Sequence, residues 1–162
     1  MEKIVKEIID ILLENNETIS SMESCTGGLL ASTITNIPGS SDVFSFGAVT
    51  YGTEYKIKMG VKKNTINKFT VYSKEVAEEM SKAISKFASS TYGIGITGKL
   101  NVVAYPNKEV DNTVYISIYD SKADAFYTYS LNVYGDERKT KKEFVVNKVL
   151  QEILPIIKDF RN

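Results

Sequence analysis

Two potential nucleophiles, Ser24 and Cys25, stand side by side in the stretch Met22-Glu23-Ser24-Cys25-Thr26-Gly27-Gly28-Leu29-Leu30. An active-site turn between a strand and a helix is built this way, because Gly27 and Gly28 let the backbone approach a ligand closely. The first N–H groups of a helix beginning at Leu29 lack intrahelical partners, and with the helix dipole they favour a negative charge. The chain has no histidine, which removes the base used by most serine and cysteine hydrolases. If Ser24 is the nucleophile, its proton goes to a lysine, a tyrosinate, a carboxylate or the substrate, and a desolvated lysine is the usual histidine-free solution. No cationic neighbour of Cys25 is evident to lower its pKa, so Cys25 reads as a small packing residue within the turn. One cysteine and no histidine also argue against a zinc site, and no metal and no cofactor are expected.

Composition bounds the remaining classes. At 162 residues the chain fits one domain, taken as 1–162, long enough to bury a full core without staples. Twenty basic residues balance twenty acidic ones, so no global field draws in nucleic acid or an anionic membrane. The start, Met1 to Glu7, interleaves charge with apolar residues, unlike a signal peptide, and no run approaches the ~20 apolar residues of a membrane span. A soluble, cytoplasmic protein with no nucleic-acid and no membrane partner is the expectation.

The elements that must hold the turn follow from periodicity. Ile4, Val5, Ile8, Ile11 and Leu12 recur at helical spacing up to Asn15-Asn16, and Thr18 to Met22 reads as a short strand running into the turn. After the Gly-Gly helix, Pro38-Gly39-Ser40-Ser41 reads as a turn and Val43 to Tyr51 as a β-rich run with Tyr51 at its end. Glu54 to Met59 predicts a short helix closed by Gly60. Ser73 predicts the cap of a longer one burying Val76, Met80, Ile84 and Phe87. Tyr92 to Gly98 predicts a buried strand, and Thr113 to Tyr119 with Phe126 to Val133 a strand pair. Arg138 to Phe160 predicts a last helix with Phe144, Val145, Val149, Ile153 and Ile156 on the sheet, kinked or interrupted at Pro155. The expected architecture is α/β, with helices on both faces of a mixed β-sheet.

The motifs Glu23-Ser24-Cys25-Thr26-Gly27-Gly28, Pro38-Gly39-Ser40-Ser41 and Val49-Thr50-Tyr51, with Lys56 following, resemble the CinA C-terminal-domain family, in register from about Ile4 to Gly98. That family contains nicotinamide-nucleotide amidases. The resemblance implies a three-layer α/β/α sandwich, frequent homodimers or higher oligomers, and metal-free deamidation of nicotinamide mononucleotide to nicotinic acid mononucleotide and ammonia. Carried over by position, it makes Ser24 the nucleophile, Lys56 the base and Tyr51 an assisting proton donor; Cys25, Thr26, Gly27, Gly28, Thr97 and Gly98 are expected around a small-molecule nucleotide substrate, with Arg138 or Lys141, where the family's arginines are shifted or replaced, as a charge partner for its phosphate. Two departures stand out. The family continues after Thr-Gly with Ile-Ala-Gly-Pro, where this chain has Lys99-Leu100-Asn101-Val102, and its later Lys-Pro-Val-Gly-Thr-Val has become Lys108-Glu109-Val110-Asp111-Asn112-Thr113-Val114. Without those glycines the 99–112 loop is expected to take another conformation. The alternatives are an amidase for a different small amide and a non-catalytic nucleotide-binding or oligomeric regulatory domain.

Overall fold

A five-stranded mixed sheet, in the order β2-β1-β3-β4-β5, carries the molecule. The computed structural model describes residues 1–101 and 110–159. In chain order the elements are α1 (Glu2–Asn15), β1 (Ile19–Glu23), α2 (Leu29–Thr35), β2 (Gly47–Val49), α3 (Thr53–Lys58), α4 (Lys63–Phe69), α5 (Lys74–Ala88), β3 (Tyr92–Gly98), β4 (Thr113–Asp120), β5 (Ala125–Asn132) and α6 (Arg138–Asp159). Strands β2, β1 and β3 run parallel, and β4 and β5 close the sheet antiparallel to their neighbours.

Strand alternation sorts the side chains into two layers. Ile19 of β1, Tyr92, Ile94 and Ile96 of β3 and Val114, Ile116 and Ile118 of β4 join the apolar faces of α1, α2 and α6 in the larger core. Met22 faces the other way and packs with Val61 and with Val76, Met80 and Ile84 of α5. That second face is unusually close-packed. A Cβ added at Gly95 would lie 2.4 Å from the Ala77 carbonyl oxygen, and one at Gly93 would lie 2.0 Å from that of Ser81, so only glycine lets α5 settle on β3. The alternating glycines of Tyr92-Gly93-Ile94-Gly95-Ile96 are therefore the imprint of a helix on one side of a strand.

The caps follow local chemistry. Ser73 Oγ accepts the Val76 N–H and opens α5, and Asn16, in the left-handed region at φ 54°, closes α1. Several expectations are corrected. Within Val43 to Tyr51 only Gly47–Val49 is strand: the Val43 and Phe44 N–H groups both bond Ser40 O to close a 3-10 turn, and Tyr51 lies two residues beyond β2. Phe87 and Phe144 are 62% and 54% exposed, because each sits at the edge of its helix's apolar stripe; the Phe87 ring meets that of Phe46, with ring centroids 4.8 Å apart. Helix α6 runs unbroken through Pro155, its end held by the buried Ile153, Ile156 and Ile157. Helix α4 left no apolar stripe to read, since none of its residues is buried. Most of the divergent 99–112 loop, residues 102–109, lies outside the described residues, as does Phe160.

Candidate active site

The site forms where β1 and β3 end and the chain leaves β2 for α3. The Ser24 N–H bonds Ile96 O at 3.0 Å and the Thr50 N–H bonds Glu23 O at 2.8 Å, which extends the sheet register one residue past each strand. Alternation then turns Glu23 toward α2 and Ser24 toward α3. Helix α3, whose Tyr55 and Lys56 N–H groups bond Gly52 O, projects Lys56 back at the strand ends.

Lys56 is 2% exposed. Its Nζ donates to Ser24 Oγ at 3.0 Å, to Thr50 O at 2.7 Å and, more loosely, to Tyr51 O at 3.4 Å. Burial holds its pKa below the usual 10.5, with proximity to Cys25 acting the other way. A neutral amine keeps two hydrogens and one lone pair. With the hydrogens on the two carbonyls, the lone pair faces the Ser24 hydroxyl, which is the orientation a general base requires. Burial pushes the adjacent Cys25 thiol the other way, up to about 12, which disfavours its thiolate at neutral pH.

A cavity of about 360 Å³ opens over Ser24 and Lys56, walled by Tyr51, Tyr72, Gly98 and Arg138 among others. Lys99 also faces it, its Nζ 4.8 Å from the centre of the Tyr72 ring. No carboxylate lines this cavity among the described residues, so its field favours an anionic ligand. The Tyr51 ring is 62% exposed, and its hydroxyl accepts from Arg138 Nη2 at 3.2 Å. Arg138 Nη1 donates to Leu100 O at 2.8 Å, and the buried Lys141 Nζ donates to Asn101 O. The first turn of α6 thus fixes the rebuilt segment after β3 through its carbonyls.

Not every residue named from sequence reaches this cavity. Ser24, Cys25, Tyr51, Lys56, Gly98 and Arg138 line it. Thr97 is fully buried, and its Oγ1 donates to Val71 O at 2.8 Å, supporting the wall from behind. Gly27 and Gly28, at φ 61° and 97°, line a separate depression with Thr26, Lys142 and Arg138. The first N–H groups of α2 do not await a ligand: Leu30 N and Ala31 N both bond the Glu23 carboxylate. Sequence reading passed over Glu23, the Thr50 carbonyl, Tyr72 and Lys99. For Glu23 the signal was present, as an acidic residue shortly before a helix start. Among the described residues no group of three or more His, Cys, Asp or Glu could hold a metal, and no helix is long and apolar enough to cross a membrane.

A profile of the CinA C-terminal domain matches residues 1–157. The chain belongs to the CinA C-terminal domain family. It is 35% identical over 160 residues to a CinA-like protein of Kosmotoga olearia, covering 96% of this chain and 38% of that protein. It is 38% identical over 141 residues to a CinA-like protein of Endomicrobium trichonymphae, covering 86% of this chain and 32% of the other. The chain thus spans about a third of the length of these curated relatives. Among solved structures it resembles the competence/damage inducible protein CihA from Agrobacterium tumefaciens (TM-score 0.86, 26% identity, 97% and 94% of the two chains). It also resembles a competence or damage-inducible protein from Enterobacter asburiae (TM-score 0.87, 22% identity, 96% and 97%), a likeness of fold alone. The mixed sheet with helices on both faces is the fold of the CinA superfamily.

Proposed function

We propose that this CinA-family chain is a Ser-Lys amidohydrolase that deamidates nicotinamide mononucleotide to nicotinic acid mononucleotide and ammonia. The observation that carries the reading is the buried Lys56 amine, 3.0 Å from Ser24 Oγ and anchored on the carbonyls of Thr50 and Tyr51. Ser24 Oγ attacks the carboxamide carbon while its proton passes to Lys56 Nζ. The resulting oxyanion needs donors from the turn. Ser24 N–H is engaged with Ile96 O and Gly27 N–H with Ser24 O, which leaves the N–H groups of Cys25, Thr26 and Gly28 as candidates. The C–N bond then breaks and ammonia leaves with a proton. Arg138 donates to the Tyr51 oxygen, so the phenolic hydrogen is free to be passed to that nitrogen and to be restored from Lys56. Water, deprotonated by Lys56, cleaves the acyl-Ser24 ester and releases the carboxylic acid.

The substrate class is supported by the cavity's size, which is that of a small-molecule site, and by its cations Lys99 and Arg138, which suit a phosphorylated amide. Lys99, standing where the family has an apolar residue, favours a second reading in which the same machinery serves a different anionic amide. Ammonia release from nicotinamide mononucleotide, with Ser24→Ala prepared in parallel, tests the proposal. Turnover lost in the variant supports it. A folded wild type that releases no ammonia moves the reading to another amide, and turnover undiminished in Ser24→Ala removes the serine mechanism.

A further inference from the structure

Glu23 is 1% exposed and lies immediately before the nucleophile, yet nothing in the Ser-Lys chemistry uses it. Its carboxylate is fully engaged. Oε1 accepts from Thr26 Oγ1 at 2.7 Å and from Leu30 N at 2.9 Å, and Oε2 accepts from Ala31 N at 3.0 Å. Thr26 lies inside the turn and Leu30 and Ala31 in the first turn of α2 beyond it, so one side chain closes the Ser24–Gly28 turn into a ring. The backbone of the same residue is held from the opposite direction. Glu23 O accepts the Thr50 N–H at 2.8 Å, and Thr50 O is the closest acceptor of Lys56 Nζ, at 2.7 Å. A single residue therefore fixes the turn that carries Ser24 and the carbonyl that aims Lys56.

We propose that Glu23 is the positioning residue of the catalytic turn: its carboxylate sets the backbone of residues 24–28 against Lys56. This rests on the Ser-Lys reading above. Two features separate such a role from ordinary helix capping. Helix α2 has only seven residues and two buried side chains, Leu30 and Ile34, so its stability alone gives little reason for a fully buried carboxylate. The contact to Thr26 Oγ1 falls inside the turn, on a residue that is itself 1% exposed. Glutamine keeps the size and one acceptor but places an NH₂ group against either the Ala31 N–H or the Leu30 and Thr26 donors, so one side of the ring must open. Aspartate keeps both acceptors on a shorter stem.

The test compares wild type with Glu23→Gln, Glu23→Asp and, as a stability control far from the site, Ser85→Ala, which removes the hydroxyl bonded to Ser90 O at 2.7 Å. Two rates are read: ammonia release from nicotinamide mononucleotide, and phosphonylation of Ser24 by a small fluorophosphonate, followed by mass spectrometry, in which the Ser24 oxygen displaces fluoride. The expected result for Glu23→Gln is a fall of roughly 10–100-fold in kcat and in labelling rate, with KM within about threefold of wild type. Glu23→Asp should recover part of that loss, and Ser85→Ala should lower Tm without lowering either rate. Equal rates in wild type and Glu23→Gln overturn the proposal, as does a loss in Ser85→Ala that matches its fall in Tm as closely as the Glu23→Gln loss does. If wild type is labelled at Ser24 but releases no ammonia, the substrate reading fails while the labelling rates still decide the role of Glu23. A wild-type Ser24 that takes no label overturns both.

Discussion

Replacing Lys56 with methionine isolates the base. Methionine fills a similar volume but offers Thr50 O and Tyr51 O no donor and Ser24 no lone pair, so the variant loses proton transfer and keeps the packing of α3. Positioned general-base catalysis is worth about 10²–10⁴-fold, or roughly 3–5 kcal/mol of barrier at 1.36 kcal/mol per decade. The loss in kcat should fall in that range, and Lys56→Arg should lose as much, because a guanidinium cannot deprotonate in a protein. Adding Ser24→Ala to Lys56→Met should cost little more, since the two residues act as a unit. The pH dependence has a definite sign. The base must be neutral and burial lowers its pKa, so wild-type kcat/KM should climb with pH and level off at an apparent value below 10.5. The same titration reaches stability. Between the native pKa of Lys56 and 10.5 the unfolded chain holds a proton that the native chain has shed, so stability rises with pH in that window and is unaffected by this group on either side. Coupled ammonia assays across pH 6 to 10, with urea melts on the same samples, read both slopes. An activity limb that survives in Lys56→Met, or a Lys56→Arg variant within tenfold of wild type, refutes the assignment.

Tyr51→Phe removes the hydroxyl that accepts from Arg138 but leaves the carbonyl that receives Lys56, so kcat should fall about 10–100-fold, less than for Lys56→Met; an unchanged kcat removes the relay. With its thiol pushed up to about 12, Cys25 should be only ~10⁻⁴ thiolate at pH 8, and native protein should resist iodoacetamide until unfolded. Rapid alkylation of the folded protein contradicts that picture. Gly95→Ala places a methyl group 2.4 Å from Ala77 O and should cost about 3 kcal/mol in a urea melt by prising α5 from β3; a change below about 0.5 kcal/mol means the helix yields freely.

The parts of this molecule legible in the sequence are those in which one face of an element meets a core. Strand β3 was read with its structural bounds, Tyr92 to Gly98, because its isoleucines and glycines mark two different surfaces, and α5 was read from its capping serine and its stripe through Ile84. Helix α4 was invisible for the opposite reason: none of its residues is fully buried, and only the half-buried Ile66 packs on the core. The edge strand β2 was overdrawn because the apolar Val43 and Phe44 are buried by a turn, and hydrophobicity does not distinguish burial in a turn from burial in a strand. In the site, residue types announced Ser24, while Lys56 among many lysines came only through family register. Glu23 and the Thr50 carbonyl went unread because one works through its reach to a helix start and the other through its backbone.

That division bears on what the rebuilt loop can change. Every contact that orients the Ser24–Lys56 pair comes from β1, the segment after β2, α3 and the strand β3, through Ile96 O, Thr50 O, Tyr51 O and the Glu23 carboxylate. Among the described residues, none comes from the segment after Gly98. The far wall is built differently: Lys99, Leu100 and Asn101 lean on Asp111, Arg138 and Lys141, all side chains of the last third of the chain, where the family pattern is least retained. On the proposed mechanism the nucleophile and base therefore stand on one frame, and the groups that meet the rest of the substrate on another. Substitutions in the second frame alter which amide is held, and so act first on KM and on substrate choice. Substitutions in the first act on the chemical step itself. On the proposed mechanism, divergence in the recognition wall points to a change of substrate rather than of the chemical step. The proposed general-base role gives a reason for a buried amine that is held by a hydroxyl and two carbonyls rather than by a carboxylate.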